Sequence, residues 1–300
     1  MPGNRPNLGS PAAPRPPDTP SDMANRRAYL SDLSDERWAL IEPTLTAWRQ
    51  ARLDRAPVHR TDLADLREVF NALLYLNRTG IQWEYLPHDF PNSKTVNGYY
   101  NAWTKDGIFR QLNMHLTGLA RAREGRSPEP SAGVMDTQSI KTATTVPASQ
   151  QGADANKKIV GRKRGIFTDT LGLILAVVIA AASLHENQAG NRLLDQVHAT
   201  HPTISTVWVD QGFKNQTVEH GARLGINVDI VERTNPQPGF HVLKRRWVAE
   251  RTIGWLMLHR RLARDYEASP ASAESMIHIA MIDNLAKRLT GENTPTWRDA

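Results

Sequence analysis

Between residues 133 and 290 the apolar residues fall into a fixed order of segments, and that order leaves few folds open. Aliphatic and β-branched runs at 133–140, 163–169, 171–181, 204–209 and 226–232 predict strands. Apolar spacing of three and four residues at 187–200, 214–224, 242–264 and 270–289 predicts helices. The first three strands follow one another directly, which predicts antiparallel hairpins with Asp169-Thr170 near the second turn. The later strands are each separated by a helix, which predicts parallel crossovers. The whole is an α/β fold, a mixed sheet flanked by helices.

A different pattern precedes it. Residues 29–122 read as all-helical. Ser34 can cap a first helix, with Asp35 and Glu36 in its first turn. Thr61-Asp62 opens a second, whose Leu63, Leu66, Phe70, Leu73 and Leu74 form one apolar face ended by Gly80. Ser93 caps a third, and a further helix begins near Gly107. Short helices of this kind fit a small helix-turn-helix-like DNA-binding domain, or equally a bundle used for packing. Residues 123–132 read as a polar, Pro-containing linker. Residues 1–28 are a Pro-rich tail that cannot bury a core, and 291–300 a second tail.

Composition narrows the class further. The chain carries 37 Lys+Arg against 31 Asp+Glu, a net charge of +6, which suits an anionic partner, nucleic acid ahead of membrane. With no cysteine, disulfides and thiolate metal sites are excluded. The longest apolar run, Leu171 to Ala182, is too short to span a bilayer, and the N-terminus lacks a signal-peptide core, so a cytoplasmic protein is expected.

Three carboxylates stand where metal-dependent phosphodiester chemistry would need them. Asp136 follows the apolar run Gly133-Val134-Met135, and Asp210 follows Val207-Trp208-Val209. If their strands are neighbours, the two converge and repel, which favours a bridging cation. Hard oxygen ligands without thiolate suit Mg²⁺ or Mn²⁺. Either aspartate can instead simply cap its strand. Glu250 lies in a helix beside Lys244, Arg245, Arg246 and Arg251. It reads as a third metal ligand with Arg246 clamping phosphate, or as an ordinary surface ion pair worth a few tenths of a kcal/mol. Glu186, Glu232 and Glu267 are rival third acids, Glu232 the best placed because it follows a strand.

Two basic groups flank these acids. Lys157, Lys158, Arg162, Lys163 and Arg164 form one, and Arg260, Arg261 and Arg264 extend the Glu250 helix to form the other. Such runs usually face solvent; beside a metal site they can also neutralise phosphate. Trp247 and Trp255 read as core packing, and Gly254 as a site of close helix approach.

An ordered set of short motifs carries a resemblance. It comprises Met135-Asp136-Thr137-Gln138-Ser139-Ile140-Lys141-Thr142, Gly161-Arg162-Lys163-Arg164, Asp169-Thr170-Leu171-Gly172-Leu173, Val209-Asp210-Gln211-Gly212-Phe213, Arg245-Arg246-Trp247-Val248-Ala249-Glu250-Arg251-Thr252 and Leu262-Ala263-Arg264-Asp265-Tyr266-Glu267. Upstream, Arg67 to Tyr75 and Ser93 to Tyr100 match too. The chain resembles the DDE transposases of bacterial insertion sequences, in the insertion-sequence-five group, over roughly residues 29 to 290.

The resemblance implies a ribonuclease H-like catalytic domain over 133–290, with Asp136, Asp210 and Glu250 as its acidic triad holding two Mg²⁺ or Mn²⁺ ions. It implies strand cleavage at element ends and strand transfer into target DNA. The expected partners are double-stranded DNA, as terminal inverted repeats and target, and a second copy of the chain, in a cytoplasmic, nucleoid-associated setting. DNA contacts are expected from Lys157, Lys158, Arg162, Lys163, Arg164, Arg245, Arg246, Arg251, Arg260 and Arg261. Two positions depart from the family pattern: Leu243 stands where many relatives carry tyrosine and Met257 where they carry lysine. A catalytically inactive or repurposed transposase that only binds DNA is the alternative.

Overall fold

A computed structural model describes residues 26–55, 63–231 and 247–293. The Pro-rich segment 1–25, the Thr61-Asp62 cap, Glu232, Leu243, Lys244, Arg245 and Arg246 lie outside the described residues, as does 294–300.

Four helices come first: α1 (Asp35–Arg55), α2 (Leu66–Thr79), α3 (Ser93–Lys105) and α4 (Ile108–Arg123). Ser34 caps α1 as expected, its Oγ accepting from Arg37 N at 3.2 Å. The α2 cap is Asp65, whose carboxylate accepts from Arg67 N, so the helix starts at Leu66 rather than at Thr61. The α3 cap is Asn92, one residue before the expected serine. Gly80 closes α2 at φ +74, a conformation that glycine adopts without a Cβ penalty.

The sheet strands are β1 (Ala132–Lys141), β2 (Gly152–Asp154), β3 (Ile159–Asp169), β4 (Ile174–Ala181), β5 (Thr206–Val209) and β6 (Asn227–Ile230). Interleaved with or following them are α5 (Glu186–Thr200), α6 (Asn215–Arg223), α7 (Trp247–Met257) and α8 (Pro270–Thr290). The order across the sheet is β2-β3-β1-β5-β6, with β4 also on β3. β3 runs antiparallel to β1 and β4, while β1, β5 and β6 are parallel. This is the mixed order expected from the sequence, with the three-residue β2 added.

Two cores sandwich the sheet. Met135, Phe167, Leu193, Leu194, Val207 and Phe213 pack under α5 and α6 on one face. On the other face Ile166, Ile174, Val177 and Ile179 join α8, α7 and all four N-terminal helices in one continuous cluster. The centre of that cluster is α8, whose Met276, Ile277, Ile279, Ala280, Met281, Ile282, Leu285 and Ala286 are all buried. A helix apolar on every side must be surrounded. The loop at 124–131 therefore separates helices from strands along the chain, but the helical region is packed onto the sheet layer rather than tethered by a linker. Ordered packing also reaches further than the tails suggest. Arg26 pairs with Asp32 and Glu68, and Glu292 pairs with Arg37.

Candidate active site

The parallel pair β1 and β5 sets the site. Gly133 pairs with Val207 and Val134 with Trp208, an offset of 74 residues. Asp136 and Asp210 are separated by the same 74 residues. The pairing ends at Val134 and Trp208, two residues before each aspartate, so the same register aligns Asp136 with Asp210 just past the paired segment. β5 ends at Val209, so the pair sits where the parallel pairing opens, the crevice at strand carboxyl ends that α/β sheets use for ligands. Asp136 is not itself at a strand end, because β1 runs on to Lys141 paired with β3. Its antiparallel partner is Ile166, which belongs to the α7/α8 core, so Asp136 projects toward that layer.

Both aspartates are half-buried. Asp136 Oδ1 accepts from Thr137 N at 2.7 Å, and Asp210 Oδ1 from Gly212 N at 2.9 Å. The second is an Asx-type turn, so Asp210 does cap its strand while its carboxylate stays at the crevice. Hard oxygens set one strand apart form a donor set that suits Mg²⁺ or Mn²⁺.

A further carboxylate lies at the same edge. Glu186, the first residue of α5, accepts from Thr137 Oγ1 at 3.3 Å and faces Lys157 Nζ at 3.7 Å. A Cβ added to Gly212 would fall 2.3 Å from Glu186 Oε2 and 3.0 Å from Asp210 Oδ1. Sequence reasoning ranks Glu186 below Glu232, because a helix N-terminus 49 residues beyond Thr137 gives no local sign of where it docks.

Glu250 is exposed in the first turn of α7. That helix packs on β1 and β3. The next two residues fasten it to the β3–β4 turn: Arg251 Nη2 donates to Leu171 O at 2.9 Å and Thr252 Oγ1 to Gly172 O at 2.8 Å. Gly172 takes φ +83, and a Cβ there would meet Thr252 Oγ1 at 2.8 Å, so this docking requires glycine. Among the described residues no three acidic or histidine side chains gather closely enough to hold one ion. Arg251 lies between the Trp247 and Trp255 rings, 4.9 and 4.8 Å from their centroids. Burial, followed by the Arg288 charge, holds its pKa below the ordinary arginine value. Trp247 is 37% exposed rather than core, and Gly254 faces open space rather than a close neighbour.

The basic residues divide sharply. Lys157, Lys158 and Arg260 are exposed. Arg162, Lys163 and Arg164 are 0%, 5% and 2% exposed, which corrects the expectation that they line a phosphate track. β3 is central and covered on both faces, so its cations turn to internal acceptors. Arg162 donates to Gln150 O, Asp265 Oδ1, Glu267 O and Ala268 O; Arg164 to Leu262 O; Lys163 to Leu184 O. Burial pulls the Arg164 pKa down to about 10. Arg261 is likewise buried on Glu267 and Ile81 O, again correcting a surface assignment. Arg260 and Arg261 do not extend α7, which ends at Met257 before a separate 3₁₀ turn at Arg260–Leu262.

Family models match most of this frame. A model described as "Transposase DDE domain" covers residues 127–285, and one described as "Putative transposase of IS4/5 family" covers 33–113. The chain belongs to the DDE transposases of the IS4/5 type. A search of curated proteins gave no significant match. The mixed sheet with its flanking helices is accordingly the ribonuclease H-like fold of this family. The family acts in DNA transposition. No helix among the described residues is long and apolar enough to cross a membrane.

Proposed function

We propose that this transposase cuts DNA at insertion-sequence ends and joins the freed ends to a target, in two metal-dependent steps at Asp136, Asp210 and Glu250. The observation that supports this most strongly is the shared 74-residue offset, which aligns two hard carboxylates just beyond the paired ends of β1 and β5. Asp136 and Asp210 would hold Mg²⁺ or Mn²⁺, with Glu250 joining from α7. Two such ions, when bound, activate an attacking oxygen and steady the leaving one.

In the first step water attacks the phosphodiester at the element end; the bond to the 3′ oxygen breaks and leaves a 3′-hydroxyl. In the second step that hydroxyl attacks a target phosphodiester, forming a new bond as the old one releases its own 3′ oxygen. The chain's residues bind and align the DNA. Exposed Lys157, Lys158 and Arg260 meet phosphates, and Arg251, held between two tryptophans, stands beside Glu250. Arg245 and Arg246 belong to the same proposal, in the two positions just before α7. Arg162, Lys163, Arg164 and Arg261 do not. The outward side of α3, with Lys94, Thr95, Gly98, Asn101 and Lys105 on it, offers a polar surface for the terminal repeats. Two ends must be handled together, so a dimer or larger assembly on DNA, within the nucleoid, completes the reading.

The test uses DNA carrying the element ends, with Mg²⁺ or Mn²⁺. The wild-type chain is expected to cut and join it, and Asp136→Asn to abolish cleavage while DNA binding is kept. Undiminished cleavage by that variant would refute the assignment. That no three acids gather into one ion site among the described residues favours a second reading, an inactive DNA-binding relative. Binding without cleavage by the wild type in either metal would select it.

A further inference from the structure

We infer that Asp169 and Thr252, with Arg121 behind them, are positioning residues for Glu250, an inference that rests on the catalytic reading of that glutamate above. The motif Asp169-Thr170-Leu171-Gly172-Leu173 forms the turn between β3 and β4, and no step described so far uses its aspartate. Asp169 is fully buried and builds the turn. Its Oδ1 accepts from Leu171 N at 2.9 Å and from Leu173 N at 2.8 Å, while its carbonyl accepts from Gly172 N at 3.1 Å. Its other carboxylate oxygen accepts from Arg121 Nη1 on α4, and Arg121 Nε donates to Ser127 O at 2.8 Å. One carboxylate thus fixes the conformation of the turn and anchors it on the helical layer.

That turn carries α7. Leu171 O accepts from Arg251 and Gly172 O from Thr252, the two residues directly after Glu250. Thr252 is fully buried, and its hydroxyl is also within reach of Val248 O, one turn back at 3.0 Å. The two turn carbonyls therefore set the rotation and advance of α7 against β1 and β3, and Glu250 moves with the helix. A buried ion pair adds little net stability over apolar packing of the same volume. What Asp169 and Arg121 contribute is direction, because they aim the turn at α7. Direction matters at a reacting centre, where a displacement of about 1 Å costs on the order of 100-fold in rate.

The test compares Thr252→Val, which keeps the side-chain shape and removes the hydroxyl, with Thr252→Ser, which keeps the hydroxyl, both in the full chain. Circular dichroism and thermal melting check the fold. Cleavage of end DNA gives kcat, KM and the Mg²⁺ concentration for half-maximal rate, and hydrogen exchange of the metal-free chain reports on α7. Thr252→Val is expected to lower kcat by about 10- to 100-fold, to raise the Mg²⁺ requirement and to leave KM for DNA within about 2-fold, since no DNA contact is removed. Amide exchange across 249–254 should speed up by about 10-fold, the scale of one lost buried hydrogen bond. Thr252→Ser should recover all of these, and Asp169→Asn should follow Thr252→Val. Wild-type kcat and Mg²⁺ requirement in Thr252→Val, with Glu250→Gln inactive, would overturn the inference and leave the catalytic reading standing. A loss of kcat that Thr252→Ser does not recover, or that only tracks the melting temperature, would show a merely structural contact and overturn it as well. Wild-type cleavage by Glu250→Gln, or none by the wild-type chain, would sink both.

Discussion

Arg162→Ala is expected to damage the fold and leave DNA binding alone, although Gly161-Arg162-Lys163-Arg164 reads on paper as a phosphate-binding run. The guanidinium is fully buried and faces Asp265, itself 1% exposed, at 3.2 Å. It also holds the carbonyls of Glu267 at 2.7 Å, Ala268 at 3.2 Å and Gln150 at 3.0 Å. The hydrogen bonds to Asp265, Glu267 and Ala268 tie β3 to the 265–268 loop that leads into α8, the helix at the centre of the larger core, and that to Gln150 ties it to the turn before β2. Removing one partner of a buried ion pair strands the other charge and costs about 3–5 kcal/mol. For a chain near this size that corresponds to a fall in melting temperature of about 6–20 °C. Asp265→Asn added to the Arg162→Ala background should restore part of the loss, because a neutral amide is cheaper to bury than a lone carboxylate. Thermal and urea unfolding measure the stability. Filter binding to end DNA, at a temperature where the variant is folded, measures the affinity. A value within about 2-fold of wild type is expected, since a buried side chain contributes no released counterion. Wild-type stability combined with a marked loss of DNA affinity would refute the reasoning.

Two further outcomes are expected. Burial, largest among its causes, drives the His259 pKa down to about 4, with Asp283, Arg78 and Lys287 facing it. The folded state therefore keeps it neutral while the unfolded chain protonates near 6.5. Its stability contribution is whole above pH 6.5 and is lost as pH falls toward 4, by about 3 kcal/mol; unfolding titrations of His259→Gln should show a flatter slope in that window. Glu267, raised chiefly by burial, works in the opposite sense above its ordinary range. Separately, the double variant Lys157→Ala, Lys158→Ala should lower the slope of log affinity against log salt by about 0.9 for each phosphate that is no longer neutralised. An unchanged slope would remove those lysines from the DNA surface.

Much of the frame is legible in the sequence because the hydrophobic periods change cleanly along the chain. The Ser34 cap, the Gly80 stop and the three antiparallel strands stand where local chemistry puts them. The aspartates are legible as the ends of apolar runs, but their pairing is not, because register is a long-range property. β2 escapes notice because three residues, Gly152–Asp154, carry no readable alternation. α7 reads too long because Leu258-His259 contains no glycine or proline to mark the break; the chain turns there to bury His259 near Asp283 and Arg261 on Glu267. The basic run in β3 misleads for a physical reason. Arginine is usually exposed, and only the carbonyls of a loop about a hundred residues away make its burial possible. Glu186 is one of several rival acids until the fold sets it beside Asp210 and Gly212.

Iron mapping tests the central claim most directly. Fe²⁺ substitutes for Mg²⁺ at hard-oxygen sites, and with peroxide and ascorbate it cuts the polypeptide next to wherever it is bound. In the complex with end DNA, scission is expected in β1 around Asp136, just past β5 around Asp210, and in α7 around Glu250, all suppressed by excess Mg²⁺. Cuts confined to other segments, or an intact β1 and β5, would contradict the account.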